Sequence, residues 1–291
     1  MRLDGRKGQP TLVGMVAILL WAMLALLTEL SGAIPAFQLT ALSFTIASGV
    51  GIAVCLKAGG SLLEYLKLPA GVWALGVVGL FGYHFFYFVA LQNAPAVEAS
   101  LIAYLWPLFI VLFSSLLPGE RLRWFHCAGA VLSFVGVGVL VTKGQSLAFD
   151  ARYTTGYLAA FLCAIIWSSY SVLSRRFGDV PTQSVAGFCG ATAGLSWLCH
   201  FLFETTVVPS GVEWLAVLGL GIGPVGLAFF AWDYGVKRGD IQMLGILSYA
   251  TPFLSTILLS VFGLASLTWT VWVACFLIAG GALLSVANSL L

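Results

Sequence analysis

The chain alternates between long apolar runs and short polar punctuation. Ten runs cover residues 11–31, 36–56, 68–92, 95–117, 122–142, 154–175, 181–203, 211–236, 241–262 and 268–288. Each is close to the roughly 20 residues that a bilayer-spanning helix needs. Each therefore predicts one transmembrane α-helix. Arg2, Arg6 and Lys7 precede the first run. Such a start resembles a signal peptide, but a run of about 20 residues fits a spanning helix better. With Met1 at its head, the chain is expected to keep this segment as its first helix.

The basic residues fix an orientation. With the N-terminus in the cytoplasm, cytoplasmic segments hold Arg2, Arg6, Lys7, Lys57, Lys67, Arg121, Arg123, Arg175, Arg176, Lys237 and Arg238. Only Lys143 and Arg152, in the central connector, fall outside. Positive charge collects on the cytoplasmic side of membrane proteins, and a miscounted helix would scramble this alternation. The pattern predicts ten spans with both termini cytoplasmic.

The two halves answer each other. "GLFGYHFF" (79–86) returns as "GPVGLAFF" (223–230), so Gly79, Gly82, Phe85 and Phe86 recur 144 positions later. Tyr104 and Pro107 return as Tyr249 and Pro252, Leu122 and Trp124 as Leu267 and Trp269, and Trp21 has a counterpart in Trp167. These matches predict a five-helix unit over 1–146 and a second over 147–291. Five is odd, so the second copy must cross the membrane in the opposite sense. Inverted repeats of this kind underlie alternating access in many secondary transporters.

Composition narrows the class. Of 291 residues 60% are hydrophobic and 8% charged, where a soluble domain carries about 25% charged residues. The expected class is an all-α polytopic membrane protein surrounded by lipid. A net charge of +2 gives no reason to expect a nucleic-acid partner. Cys55, Cys127, Cys163, Cys189, Cys199 and Cys275 all lie in or beside apolar runs and form no Cys-x-x-Cys pair. They read as small packing residues, with no metal site or disulfide framework. No nucleotide-binding Gly-x-x-x-x-Gly-Lys-Ser/Thr loop occurs. No His-x-x-x-His, acidic cluster or Ser/His/Asp set points to an enzyme. No cofactor is called for.

The layout resembles the drug/metabolite transporter superfamily, specifically its ten-helix EamA-type exporters. The resemblance rests on the five-plus-five plan, the Gly-x-x-Gly-x-x-Phe-Phe of the third and eighth runs and the Ala94-Pro95 opening of the fourth. It rests also on the paired Tyr-x-x-Pro and Leu-x-Trp motifs. Tyr83-His84, Tyr104, Trp106 and Trp167 look like the branch that exports aromatic amino acids. The resemblance implies a multi-pass protein of the bacterial inner membrane that moves small metabolites outward through a central cavity. Small multidrug exporters of the superfamily use a deep glutamate for cations and protons. No carboxylate lies in the middle of any run here, which argues against cationic drugs.

Intramembrane ionisable residues are functional candidates. His84 shares a helical face with Tyr87, Phe88 and Leu91. It is either a ligand for a substrate carboxylate or ring substituent, or a buried histidine bonded within the bundle. Trp167 precedes the polar strip Ser168, Ser171 and Ser174, and with Trp21 it lies deep in its run. The candidate substrate-binding set is His84, Tyr87, Tyr104, Trp106, Trp167, Ser171, Ser248, Tyr249 and Trp21. Tyr104 and Trp106 point about 200° apart on an ideal helix, so both line one cavity only if the helix bends or the cavity is broad. Glu98 reads as helix-start chemistry or a gate, Asp233 as a partner for Lys237, and His126 and His200 as interfacial residues. Trp73, Trp124, Trp197, Trp214 and Trp269 read as belt residues. Pro107 and Pro252 remove a backbone donor each, giving either static kinks or a pair of hinges. The expected function is export of aromatic and other bulky apolar amino acids. The alternative is a broader small-metabolite or drug exporter with the same cavity.

Overall fold

The computed structural model describes residues 7–57, 59 and 62–287. Arg2, Arg6 and the last residue of the tenth run, 288, lie outside them. Among the described residues every regular element is helical. Nine helical segments are long and apolar enough to cross a membrane. They are α1 (Gly8–Leu30), α2 (Ala36–Lys57), α3 (Ala70–Asn93), α4 (Ala96–Ser114), α5 (Trp124–Thr142), α6 (Ala151–Phe177), α7 (Thr182–Phe203), α8 (Gly211–Arg238) and α9 (Ile241–Val261). A further apolar helix, α10 (Trp269–Ala287), closes the series. Hydropathy alone locates each of them to within one helical turn.

Polar contacts sort the helix ends into two faces. On one face Lys7 before α1 and Arg175 near the end of α6 both pair with Glu120 beyond α4, at 3.0 and 2.9 Å. Arg175 also donates to the carbonyls of Val236 and Gly239 at the end of α8. Ser184 at the start of α7 donates to the Tyr65 carbonyl just before α3. On the other face Glu204, after α7, accepts from the amides of Phe37 and Gln38 that open α2. There, too, Tyr157 in the first turns of α6 donates to Glu98 in the first turn of α4. Successive helices therefore run in opposite directions, as the charge alternation requires.

Helix pairing is closed under exchange of the two halves. α2 packs on α7, α4 on α9 and α5 on α10, each pair mapping onto itself. α1 packs on α8 and α3 on α6, and these two pairs exchange. Local irregularities match as well. α3 and α8 each widen into a π-helical stretch, Val78–Gly82 and Gly223–Leu227, at the two Gly-x-x-Gly motifs. Glycine allows close approach there: a Cβ on Gly79 would run into the Tyr170 ring of α6.

α4 and α9 are interrupted at matching points. Ala96–Ala103 gives way to Trp106–Ser114, and Ile241–Leu247 to Ala250–Val261. Both interruptions lie upstream of the prolines, at Tyr104-Leu105 and Ser248-Tyr249. Pro107 and Pro252 thus stand in the first turn of a new helix, where a missing N–H costs little. α1 has a similar irregularity at Ala22-Met23.

Candidate functional site

The centre of the bundle is built from rings. Trp21 of α1 meets Trp167 of α6, centroids 5.7 Å apart, and Trp106 of α4, at 6.3 Å. Trp106 and Trp167 are themselves 6.4 Å apart, edge to face. Trp232 of α8 stacks on Trp167 at 6.3 Å. Phe229, one turn away on α8, contacts Trp21 and Trp167 and stacks on Phe44 of α2 at 5.7 Å. All of these rings are buried. Four tryptophans from four helices thus form a closed floor. Three come from the predicted set; Trp232 does not.

Above the floor, away from the basic face, the lining becomes polar and half-buried. Tyr83 of α3 leans on Trp167, 5.6 Å between centroids, and stacks on Tyr87 at 6.1 Å. Tyr87 shares a hydrogen bond with Ser100 of α4. His84 meets Phe44 at 5.2 Å and Phe229 at 6.5 Å, so its ring points into the bundle. It is nevertheless half-buried.

The wide turns carry a specific task. π-Helical stretches are rare and occur often at functional sites. His84 Nδ1 donates to the Leu80 carbonyl, 2.7 Å, since a carbonyl can only accept. Trp21 Nε1 donates to the Pro224 carbonyl, 3.0 Å. Leu80 and Pro224 are equivalent residues, 144 apart. Each half thus offers the same carbonyl to a nitrogen-bearing ring at the site. With Nδ1 committed, Nε2 of His84 has no hydrogen-bond partner among the described residues.

The remaining candidates sit differently. Ser171 is buried and accepts from Trp232 Nε1 at 3.0 Å, which places it beneath the floor. Ser248 is buried and donates to the Leu244 carbonyl of its own helix. Tyr249 is fully buried, and its hydroxyl accepts from the Leu108 amide, 3.1 Å. That amide follows Pro107 beside the interruption of α4, so Tyr249 splices α9 to α4. Tyr104 packs with Tyr249, Val137 and Leu140, whereas Trp106 joins the tryptophan floor. The interruption at Tyr104-Leu105 sends these two near neighbours to separate clusters.

Sequence reasoning missed Trp232, Phe229 and Phe44. Phe229 was visible in the repeat, as the counterpart of Phe85. Trp232 sits in "AWDYGVKR", whose charges read as a helix end. The Asp233–Lys237 pair is present, 2.9 Å. His200 lies in the last turn of α7, fully buried there and bonded to Glu204 and Thr206 at 2.9 Å each. Trp124, Trp214 and Trp269 are exposed, as belt residues should be, while Trp73 and Trp197 are half-buried. Among the described residues no group of three or more His, Cys, Asp or Glu side chains is arranged to hold a metal ion.

The EamA-like transporter family model matches the chain twice, over residues 10–142 and 154–287. The aromatic amino acid exporter YddG of Ancylobacter novellus is 58% identical over 277 residues, covering 95% of this chain and 96% of that protein. The Escherichia coli protein of the same name is 26% identical and covers 96% and 97%. A solved crystal structure 56% identical in sequence superposes with a TM-score of 0.93, covering 97% of this chain and 98% of its own.

Proposed function

We propose that this chain, which belongs to the EamA-like transporter family, exports aromatic and other bulky apolar amino acids from the cytoplasm of a bacterium across its inner membrane. The observation that carries this reading is the four-tryptophan floor beneath the half-buried Tyr83, His84 and Tyr87. The name of the Ancylobacter novellus relative supports it. A substrate ring rests on Trp106 and Trp167, and the polar end of the molecule meets His84 Nε2 and the tyrosine hydroxyls. Ring contacts of this kind contribute about 0.5–1.5 kcal/mol each. The resulting affinity is weak, which suits release on the far side.

Transport proceeds by alternating access between two units, residues 1–146 and 147–291, related by an inverted repeat. The symmetric helix pairing, the equivalent wide turns and the matched interruptions of α4 and α9 support this division. In this reading the tryptophan floor and the Glu120 ion pairs form the closure on the basic face. Basic residues mark the closed face as cytoplasmic.

Intrinsic fluorescence tests the site. Phenylalanine adds almost no indole-type emission, so its titration into the purified protein reports on the ten tryptophans alone, and the Trp167→Phe variant isolates the share of the floor. A saturable change in emission is expected, and it should be reduced in Trp167→Phe. No change at any phenylalanine concentration would count against a site on this floor.

A further inference from the structure

A second polar group lies below the floor, unused by the central site. Asp233 and Lys237, one turn apart on α8, form an ion pair whose side chains are only 2% and 4% exposed. Asp233 also accepts from Thr182 Oγ1, the first residue of α7, and Lys237 donates to the Val180 carbonyl just before it. Burying two charges in an apolar bundle is costly, and an apolar pair of similar volume often serves stability as well. The pair borders a small crevice lined also by Leu75, Tyr170, Phe177 and Phe188. Tyr170 is 2% exposed, and its hydroxyl, beside Ser174, has no close hydrogen-bond partner among the described residues. A buried donor left unpaired carries a penalty that a ligand would relieve. The Tyr170 ring lies 5.2 Å from Trp167, so the crevice adjoins the floor of the central site from the cytoplasmic side.

We propose that this crevice is an intake site for the amino acid zwitterion, where Lys237 takes the substrate carboxylate, Asp233 takes its ammonium group and the aromatic walls take its ring. The proposal rests on the reading of the chain as an amino acid exporter. An α-amino acid carries both charges on one carbon, so it can exchange partners with the Asp233–Lys237 pair and leave no charge alone. An amine or a carboxylic acid with the same ring leaves one member of the pair unmatched, a heavy cost in a buried setting. The same argument gives Tyr170 its partner: its hydroxyl donates to the arriving carboxylate. The crevice is tight here because α3 lies flat against its rings; a Cβ on Gly76 would run into Phe188, and one on Gly79 into Tyr170. Withdrawal of α3 from those two rings is the motion that widens it.

The test uses the full chain in oriented proteoliposomes, with exchange of labelled phenylalanine measured from each face. Tyr170→Phe removes only the unpartnered hydroxyl and keeps the ring. Asp233→Asn with Lys237→Gln removes both charges together. Tyr170→Phe is expected to raise the half-saturating concentration at the cytoplasmic face about tenfold, the loss of one charge-assisted hydrogen bond, and the double variant to raise it further, each with the opposite face changed less than about twofold. In the wild type phenethylamine and 3-phenylpropionate should compete poorly with phenylalanine at the cytoplasmic face, and in the double variant that discrimination should shrink. Unchanged cytoplasmic half-saturation in Tyr170→Phe overturns the proposal. So does an equal rise at both faces, which marks a merely structural pair. If the double variant does not fold, Tyr170→Phe decides alone. Failure of the wild type to exchange any amino acid is a different result: it removes the export reading itself.

Discussion

Trp167 touches six other rings: Trp21, Tyr83, Trp106, Tyr170, Phe229 and Trp232. Its truncation to alanine would empty a packed centre and cost about 3–5 kcal/mol, so lost transport in that variant would carry little information. His84 is the cleaner probe. It is half-buried and bonded only to a carbonyl of its own helix. His84→Ala should leave the thermal unfolding midpoint in detergent nearly unchanged and lower exchange about tenfold or more, the scale of one lost polar contact to a charged group. An unchanged rate would remove His84 from the site. His84 was legible in the sequence as a candidate, since an ionisable residue at mid-membrane depth is rare. The place of Tyr249 was not: nothing in "SYATPFL" says that its hydroxyl holds a backbone amide of another helix.

At the scale of elements, the interruptions of α4 and α9 decide which residues meet. Pro107 stands where a helix has just begun, so Pro107→Ala should not straighten α4. Its stability and exchange rate should stay within about twofold of the wild type. Tyr249→Phe should do more harm, because it strands the Leu108 amide inside the bundle at a cost of about 1–3 kcal/mol. Comparing the unfolding midpoints of the two variants checks this order, and a larger loss in Pro107→Ala would contradict it. The ten helices themselves were readable from hydropathy because the bilayer fixes their length. The wide turns were not, because Gly-x-x-Gly reads equally well as a close-packing motif. Only the folded chain links those glycines to the Leu80 and Pro224 carbonyls that hold His84 and Trp21.

At the scale of the molecule, the polar latch sits on the basic face. Glu120 joins Lys7 and Arg175, and Arg175 reaches on to the end of α8. Its counterpart in the second half, 145 positions on, is Ala265, which cannot make such pairs. Glu120→Gln should therefore loosen the cytoplasmic face. On a cysteine-free background, a cysteine at the buried Val236 should react faster with a membrane-impermeant reagent applied from that side; an unchanged rate would deny the latch. The alternation of charges already pointed to this face, but the partners of Glu120, Lys7 and Arg175, come from two segments far apart in the chain and are visible only once it is folded. Orientation has its own check: a cysteine at 178 should label from the cytoplasm and one at 145 from the opposite side. The account as a whole depends most on transport. Liposomes containing the purified protein and loaded with unlabelled phenylalanine should accumulate labelled phenylalanine and tryptophan, and threonine should compete more weakly than either. Absence of exchange for every amino acid tried would contradict it.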